Sequence, residues 1–263
     1  MSIFAIADTH LSESVSKPMD IFGSRWKNWT EKLKENWRKT VNENDTVIIP
    51  GDISWGMSME EAKEDLLLLD SLPGNKIIGK GNHDFWWGTV SKTEDFFKKN
   101  GIKSIKILFN NAFLVEDTVI SGCRGWYSDE KTAPENADYD KIVKREAGRL
   151  KMSLDAAKKL SVALPCTESP REVSALTEAP TSIEIQSQTE APISPLVFFH
   201  FPPVFNDFLC REIVDVLKEY NVKECFFGHI HGRYDFPQTV EFEGIKFTVV
   251  SADYLDFTPF KLR

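Results

Sequence analysis

The histidines of this chain all lie in short polar motifs, and each motif follows an apolar run of sequence. In chain order the motifs, which together contain all five histidines, are Asp8-Thr9-His10, Gly51-Asp52, Gly81-Asn82-His83-Asp84, His200 and Gly228-His229-Ile230-His231. Imidazole, carboxylate and amide groups bind divalent metal ions, and mixed nitrogen and oxygen ligands suit manganese, iron and zinc alike. A pair of ions also needs one carboxylate that can bridge both. The motifs therefore predict a centre for two divalent metal ions.

The spacing within the motifs fits a shared site. Asp8 and His10 are two residues apart, so in an extended segment their side chains point to the same side and can hold one ion together. His229 and His231 have the same spacing. A residue without a Cβ lets the backbone turn sharply and approach a crowded site. Such residues directly precede candidate ligands at three positions: Gly51, Gly81 and Gly228.

Each motif taken alone also has an ordinary explanation. An Asp-x-His or His-x-His pair in a strand is more often a surface or core feature than a ligand pair, and Gly-Asn-His-Asp also suits a turn. His200 alone would usually be a core histidine with satisfied hydrogen bonds. The combination is more specific than its parts, because five motifs follow five apolar runs and use every histidine of the chain.

The order of the motifs resembles that of calcineurin-like metallophosphoesterases, and the resemblance covers most of the chain, from Asp8 to His231. It implies an α+β fold, a four-layer α/β/β/α sandwich, with a two-metal centre at the strand ends. The implied ligands form two sets and a bridge: Asp8, His10 and His231 for one ion, Asn82, His200 and His229 for the other, and Asp52 between them.

The resemblance also implies a mechanism. Two ions about 3.5–4 Å apart lower the pKa of a bridging water, and the resulting metal-bridging hydroxide attacks phosphorus in line. His83 would stay off the metals and donate a proton to the leaving group. Asp84 beside it would either orient His83 or cap the start of a following helix.

The second motif differs from that of some members of this superfamily. Asp52 is not followed by the Asp-Arg-Gly sequence of Ser/Thr protein phosphatases, so that activity is disfavoured. Trp55 stands where purple acid phosphatases have a tyrosine ligand. Phe201 follows His200 where many relatives have a second histidine. The expected reaction is hydrolysis of a phosphomonoester or a phosphodiester, because the ligand set alone does not choose the substrate.

Residues near the motifs are candidate substrate contacts. Arg124 and Arg233 carry planar guanidinium groups that suit a phosphate, although surface ion pairs explain them equally well. Four tryptophans lie on or near the ligand-bearing turns: Trp55, Trp86, Trp87 and Trp126. They would form an apolar wall for a base, ring or acyl group, or they would pack the loops onto helices.

The segment from Gly74 to Lys80 nearly matches a phosphate-binding loop. Gly81 replaces the Ser or Thr that binds magnesium in such loops, and the β-branched Ile77-Ile78 belongs in a strand. The segment is therefore predicted to be a strand, and Lys80 either lines the pocket or is solvated.

The elements that must position the motifs follow from hydrophobic periodicity. Buried strands are predicted at residues 3–7, 46–50, 76–79, 196–199 and 224–227. Their carboxyl ends carry the motifs into a shared crevice. Helices are predicted at residues 26–41, 58–73, 139–160 and 207–220. Further strands of antiparallel character are predicted at residues 105–109, 113–121, 240–242 and 246–251, the last two joined across Glu243-Gly244.

The composition predicts one domain over residues 1–263. Hydrophobic residues make up 41% of the chain, which is enough to bury a core. Residues 165–195 differ, because they are rich in Ser, Thr, Glu and Pro and contain Thr-Glu-Ala-Pro twice. We expect this segment to be a flexible insertion, either a tolerated spacer or a binding site for an unknown protein partner.

The charge and the cysteines exclude several classes of protein. A net charge of −8 disfavours binding to nucleic acid and favours a small phosphate-ester substrate. The four cysteines form no Cys-x-x-C pair, and no apolar run approaches the ~18 residues of a membrane span. No leader segment is evident, so we expect a cytoplasmic protein.

Two alternatives keep the same fold. A non-catalytic scaffold would bind partners through the insertion. Scaffolds of this fold typically lose metal ligands or the proton donor, whereas here the candidate metal ligands and the candidate proton donor are all present. A nuclease would use the same metal centre but needs a basic track along the surface, which the charge balance does not indicate.

Overall fold

The computed structural model describes residues 1–126, 138–162 and 194–263. The strands are β1 (Ile3–Ala5), β2 (Thr46–Ile49), β3 (Asn75–Ile78), β4 (Ile105–Ile107), β5 (Phe113–Val115), β6 (Thr118–Cys123), β7 (Leu196–Phe199), β8 (Val204–Phe205), β9 (Phe208–Leu209), β10 (Glu224–Phe227), β11 (Thr239–Phe242), β12 (Ile245–Val249) and β13 (Phe260–Lys261). The α-helices are α1 (Trp29–Thr40), α2 (Lys63–Ser71), α3 (Val90–Asn100), α4 (Tyr139–Val162) and α5 (Arg211–Glu219). The predicted insertion at residues 165–195 lies outside the described residues except for its last two positions.

Most of the strands form two large sheets. Their strand orders are β13-β1-β2-β3-β4 and β11-β12-β10-β7-β6-β5. Strands β1 to β4 run parallel to one another, as do β6, β7, β10 and β12. The edge strands β13, β5 and β11 are antiparallel to their neighbours.

The antiparallel character predicted for the later strands is wrong for residues 105–109 and only partly correct for residues 113–121 and 246–251. Strand β6 pairs in parallel with β7 while it is antiparallel to β5. Strand β4 pairs in parallel with β3, and β12 pairs in parallel with β10 while it is antiparallel to β11. The long strand predicted at residues 113–121 is a hairpin of β5 and β6. Strand direction depends on the crossover connections, and the hydrophobic pattern of one strand does not record them.

Alternating side chains on the strands produce the layers. In β1, Phe4 packs with the core against α1, α2 and α3, whereas Ala5 packs with the core between the sheets. In β7, Phe198 faces the first sheet, whereas Phe199 packs with α4 and α5. Because successive residues of a strand point to opposite faces, each sheet is covered on both sides. The four-layer α/β/β/α sandwich is therefore confirmed.

Four helices differ from the sequence prediction. Helix α1 begins at Trp29 and not at residue 26, because Ser24–Trp26 forms a separate 3-10 turn and Lys27 is extended. Helix α2 begins at Lys63 and not at residue 58, because Ser58 caps a preceding turn by accepting from the N–H of Glu61 at 3.3 Å. Helix α5 begins at Arg211, because Phe208–Leu209 pairs as β9 with β8. Helix α3 was not predicted, since its inner face holds few apolar residues. No helix in the described part of the chain has the length and apolar character to cross a membrane.

Candidate metal centre

All five motifs lie at the carboxyl ends of strands. Three of them follow β1, β2 and β3, which are neighbours in the first sheet. The other two follow β7 and β10, which are neighbours in the second sheet. Because the two sheets pack face to face, these strand ends meet at one edge of the sandwich.

Four of the predicted ligands form one tight group. The group consists of Asp8, His10, Asp52 and His231. Each residue offers one potential ligand atom, and these four atoms all lie within 4.8 Å of one another. The Nε2 atoms of His10 and His231 are 3.2 Å apart, and His231 Nε2 is 3.4 Å from Asp8 Oδ1. Two ligand atoms that each lie about 2.0–2.2 Å from one ion are separated by about 3 Å. The contacts of this group therefore match a shared ion.

The other three predicted ligands form a second group around one amide oxygen. Asn82 Oδ1 lies 2.6 Å from His200 Nε2 and 3.0 Å from His229 Nδ1. His200 Nδ1 lies 3.2 Å from the carbonyl oxygen of Pro50. A bond from the far ring nitrogen to a carbonyl fixes the ring and leaves Nε2 directed at the group.

Asp52 lies between the two groups. Its Oδ2 is 3.6 Å from His10 Nε2 and 3.5 Å from His200 Nε2, and this buried oxygen has no hydrogen-bond partner among the described residues. Its Oδ1 accepts from the N–H of His83 at 2.7 Å. Burial raises the pKa of Asp52 well above its usual value, and the Asp84 carboxylate adds to the effect. A buried, unpaired carboxylate oxygen calls for a cation, so the residues present fit a pair of divalent ions.

The imidazoles differ in their preferred charge. Burial lowers the pKa of His10 and His200 well below the usual value, and it lowers the pKa of His229 to about 4. Burial acts in the same direction on His231, but Asp8 and a second carboxylate outweigh it and raise the pKa to about 10. A neutral imidazole is the form that binds a metal ion. Three of these histidines are thus held in their ligand form by the fold.

Glycines allow the ligand loops to pack closely. A Cβ at Gly228 would lie 2.5 Å from Asp8 Oδ2, and a Cβ at Gly81 would overlap the Asp52 carboxylate. Gly51 has φ +103°, which side chains rarely adopt, and its Cβ would lie 2.5 Å from the nitrogen of Gly81. The predicted need for residues without a Cβ is therefore confirmed.

We expect Gly81→Ala to displace the Asp52 carboxylate and to remove at least one bound ion, because the new methyl group would occupy the position of Asp52 Oδ1. Activity should fall about tenfold or more, by loss of a charge-stabilising group. Metal content per chain, measured by plasma mass spectrometry, checks the first effect. Gly148→Ala is the control, since a Cβ there meets no atom within 4 Å. Equal metal content in the two variants would contradict the expectation.

The extended backbone predicted for the pairs Asp8/His10 and His229/His231 is wrong. Asp8 and His10 have φ of 59° and 43°, so they lie on a left-handed loop after β1 and not in an extended strand. His229, with φ of 70°, contacts Asn82, whereas His231 contacts His10. The second pair is thus divided between the two groups, in the same way as the ligand sets that the resemblance implies.

His83 lies beside the first group without joining it. Its ring centroid is 5.6 Å from that of His10 and 4.5 Å from that of Trp55. Trp55 in turn stacks on His10 at 4.9 Å. Within the described residues no hydrogen bond involves the His83 imidazole, and its side chain is partly exposed. Both of its ring nitrogens are therefore free to meet a substrate.

Neither role predicted for Asp84 matches its contacts. The carboxylate is buried and accepts hydrogen bonds at 2.8–3.4 Å from four backbone N–H groups and one indole: those of Gly81, Asp52, Ile53, Ser54 and Trp86. No hydrogen bond to the His83 ring is present among the described residues, and α3 begins only at Val90. Asp84 instead ties the loop of Asp52 to the loop of Gly81.

The predicted substrate contacts lie in different surroundings. The guanidinium of Arg124 is 5.4 Å from the ring of Trp126. The backbone oxygen of Arg124 accepts from the N–H of His200 at 3.2 Å. Arg233 is exposed, with its guanidinium 5.7 Å from the ring of Phe205. Arg124 and Trp126 thus lie next to a ligand loop. The substrate roles of all three residues stay predictions.

The tryptophans do not form one wall. Trp86 and Trp87 are 3% and 8% exposed and pack in the core between the first sheet and its helices. The substrate wall is therefore wrong for Trp86, which packs the loop onto the core, whereas Trp87 also lines a cavity together with Lys80 and Arg124. Trp126 packs on Phe201 at 5.3 Å between ring centroids, and Trp55 contacts His10, a candidate metal ligand.

Asp253 belongs to the site but was not predicted. Its Oδ1 lies 3.3 Å from His231 Nδ1, and its Oδ2 accepts from the N–H of Gly232 and the hydroxyl of Tyr234, both at 2.9 Å. A carboxylate on the far nitrogen of a metal-binding imidazole fixes the orientation of the ring. Asp253 follows β12 as the other motifs follow their strands, and this position was the available signal.

Two stacked sheets that direct carboxylate, imidazole and amide ligands to one edge define a class of metal-dependent phosphoesterases. The family model of the calcineurin-like phosphoesterases matches residues 1–233. The chain therefore belongs to the calcineurin-like phosphoesterase family and is a hydrolase of phosphate ester bonds.

Two solved structures are similar to this chain at low sequence identity. Phosphopantetheinyl hydrolase from Mycobacterium tuberculosis is 14% identical with a TM-score of 0.50, over 99% of this chain and 95% of that chain. A protein of unknown function from Aquifex aeolicus is 15% identical with a TM-score of 0.46, over the same shares. No curated protein matches the chain. Likeness at this level bears on the fold alone.

Proposed function

We propose that the chain hydrolyses a small phosphomonoester or phosphodiester and that it does so with two bound divalent ions, of manganese, iron or zinc. The observation that carries the proposal is the position of Asp52 Oδ2, buried, without a hydrogen-bond partner among the described residues, and within 3.5–3.6 Å of an imidazole from each ligand group. A single carboxylate in that position can serve both ions.

Seven residues would hold the ions: Asp8, His10 and His231 on one side, Asn82, His200 and His229 on the other, and Asp52 between. Bound divalent ions supply Lewis acidity that activates water and neutralises phosphoryl oxygens. Trp55 stacks on the ring of His10 and packs at a tilt against the ring of His83. His83 keeps a free imidazole beside the ligands and donates a proton to the leaving oxygen.

Metal content and two chromogenic esters test the proposal. The purified chain should bind about two ions of manganese, iron or zinc. The metal-loaded chain should hydrolyse p-nitrophenyl phosphate, bis(p-nitrophenyl) phosphate, or both. A metal-loaded chain that cleaves neither ester would overturn the proposal and favour the non-catalytic scaffold.

A panel of natural esters would then narrow the substrate. It should contain nucleotides, sugar phosphates and glycerophosphodiesters, because loop shape and not the ligand set decides selectivity. It should also contain a phosphopantetheine ester, since a structure of the same fold is named a phosphopantetheinyl hydrolase. The ester with the highest kcat/KM identifies the substrate class.

A further inference from the structure

A cavity of about 410 Å³ adjoins the ligand loops. Its charged wall residues in the described part of the chain are Lys80, Arg124, Arg145, Glu146 and Arg149. Four of these five are cations. This is a marked excess of positive charge in a chain whose net charge is −8.

The cavity and the metal centre share the same loops. Lys80 directly precedes the Gly81-Asn82-His83-Asp84 motif, and Thr89 of the wall lies five residues after that motif. The backbone oxygen of Arg124 accepts from the N–H groups of His200 and Phe201 at 3.2 and 2.9 Å. The loops that line the cavity therefore carry or contact candidate metal ligands.

The arginines of α4 are held in place by one carboxylate. Glu146 is fully buried, and its Oε1 accepts from Arg149 Nη1 at 2.7 Å and from Arg145 Nε at 3.3 Å. One negative charge thus positions two guanidinium groups and leaves most of the positive charge of the wall unneutralised. Such preset guanidinium forks suit phosphate, to which they can donate two hydrogen bonds each.

Three buried polar atoms of the wall have no hydrogen-bond partner in the described residues. They are Arg124 Nε, which is a donor, and Asn110 Oδ1 and Glu146 Oε2, which are acceptors. An unpaired buried donor and mutually repelling cations are costly unless a ligand completes them. A bound anion would accept from Arg124 Nε and neutralise the cations, and a protonated or hydroxyl group of the same ligand would be needed for the two acceptors.

We propose that this cavity binds a second phosphate group of the substrate, so that the preferred substrates are small molecules with two phosphate groups. One phosphate would lie at the metal centre and the other among Arg124, Arg145, Arg149 and Lys80. A doubly charged phosphate matches the excess of cations better than a single carboxylate does. The inference rests on the proposed function and adds a substrate class to it.

Binding of sulfate tests the anion site without using catalysis. The metal-loaded chain is heated in sodium sulfate and in sodium chloride at equal ionic strength, and the difference in Tm is recorded. Arg145→Gln should lose most of the sulfate-specific rise. Lys151→Gln removes one positive charge from the same helix outside the cavity and should keep the rise. Equal rises in the wild type and in both variants would overturn the proposal.

Paired substrates then test whether the anion bound in the cavity is a second phosphate group of the substrate. The pairs are adenosine 3′,5′-bisphosphate with adenosine 5′-monophosphate, and fructose 1,6-bisphosphate with fructose 6-phosphate. In at least one pair, kcat/KM should be roughly 10- to 100-fold higher for the bisphosphate, the range expected for charge-assisted hydrogen bonds. Arg145→Gln should lower that ratio about tenfold, and Lys151→Gln should leave it unchanged.

The outcomes separate this inference from the proposed function. Ratios near one in the wild type, together with hydrolysis of the chromogenic esters, would overturn the two-phosphate inference and keep the phosphoesterase. Sulfate binding without any preference for bisphosphates would overturn it as well. If the metal-loaded wild type hydrolysed neither chromogenic ester, the proposed function itself would instead be overturned.

Discussion

Asp52→Asn is expected to lower kcat by about a thousandfold or more and to reduce bound metal from two ions per chain to one or none. The Oδ2 atom of Asp52 lies within 3.6 Å of His10 Nε2 and 3.5 Å of His200 Nε2. Asparagine has nearly the same shape but no charge, so it cannot neutralise two cations in a buried site. Plasma mass spectrometry and steady-state rates on a chromogenic ester measure both effects.

Asp215→Asn is the matched control for this prediction, because Asp215 is a carboxylate on α5 with a side chain that is 62% exposed. It should keep both the metal and the activity. Two ions per chain and wild-type kcat in Asp52→Asn would mean that Asp52 does not bridge a metal pair.

His83→Ala should lower kcat by roughly 10²–10⁴-fold while the metal content stays unchanged. The imidazole lies 5.6 Å from the His10 ring and belongs to neither ligand group. The backbone N–H that donates to Asp52 Oδ1 at 2.7 Å remains in the variant. The loss should therefore come from proton transfer and not from metal binding.

Leaving-group dependence separates these two causes. An alkyl phosphate needs a proton on its leaving oxygen, whereas p-nitrophenolate leaves readily without one. His83→Ala should thus impair hydrolysis of the alkyl ester far more than that of the p-nitrophenyl ester. Equal losses on both esters, or loss of an ion, would assign His83 a structural role.

The positions of the candidate metal ligands could be predicted from the sequence, because they are set by strand ends. Each candidate ligand follows a short apolar run, and parallel strands bring their carboxyl ends to one edge. Residues as distant in sequence as Asp8 and His231 thus lie 3.4 Å apart. Gly81 and Gly228 could also be singled out from the sequence, because each directly precedes a candidate ligand, although the groups that exclude a Cβ there, Asp52 and Asp8, are distant in sequence.

The hydrogen bonds around the site could not be predicted in the same way. Asp84 is adjacent to His83 in sequence, yet its carboxylate is turned towards the backbone of the Asp52 loop. Trp86 and Trp87 face the core because the loop folds back onto the first sheet. Which way a loop side chain turns depends on tertiary packing, and local sequence does not record it.

The basic cavity was hidden for a related reason. Arg145, Glu146 and Arg149 have helical spacing, so in sequence they match an ordinary solvated helix face. Only the packing of α4 against β6 brings them towards Arg124 and Lys80. The overall charge of −8 also gave no sign of a local excess of cations. Local electrostatics therefore required the structure.

Anomalous diffraction from crystals of the metal-loaded chain tests the central claim most directly. Data collected at the absorption edges of manganese, iron and zinc should show two peaks about 3.5–4 Å apart at the edge of the sandwich. The account predicts that Asp52 contacts both peaks, with Asp8, His10 and His231 on one and Asn82, His200 and His229 on the other. A single peak, or two peaks that do not share Asp52, would contradict it.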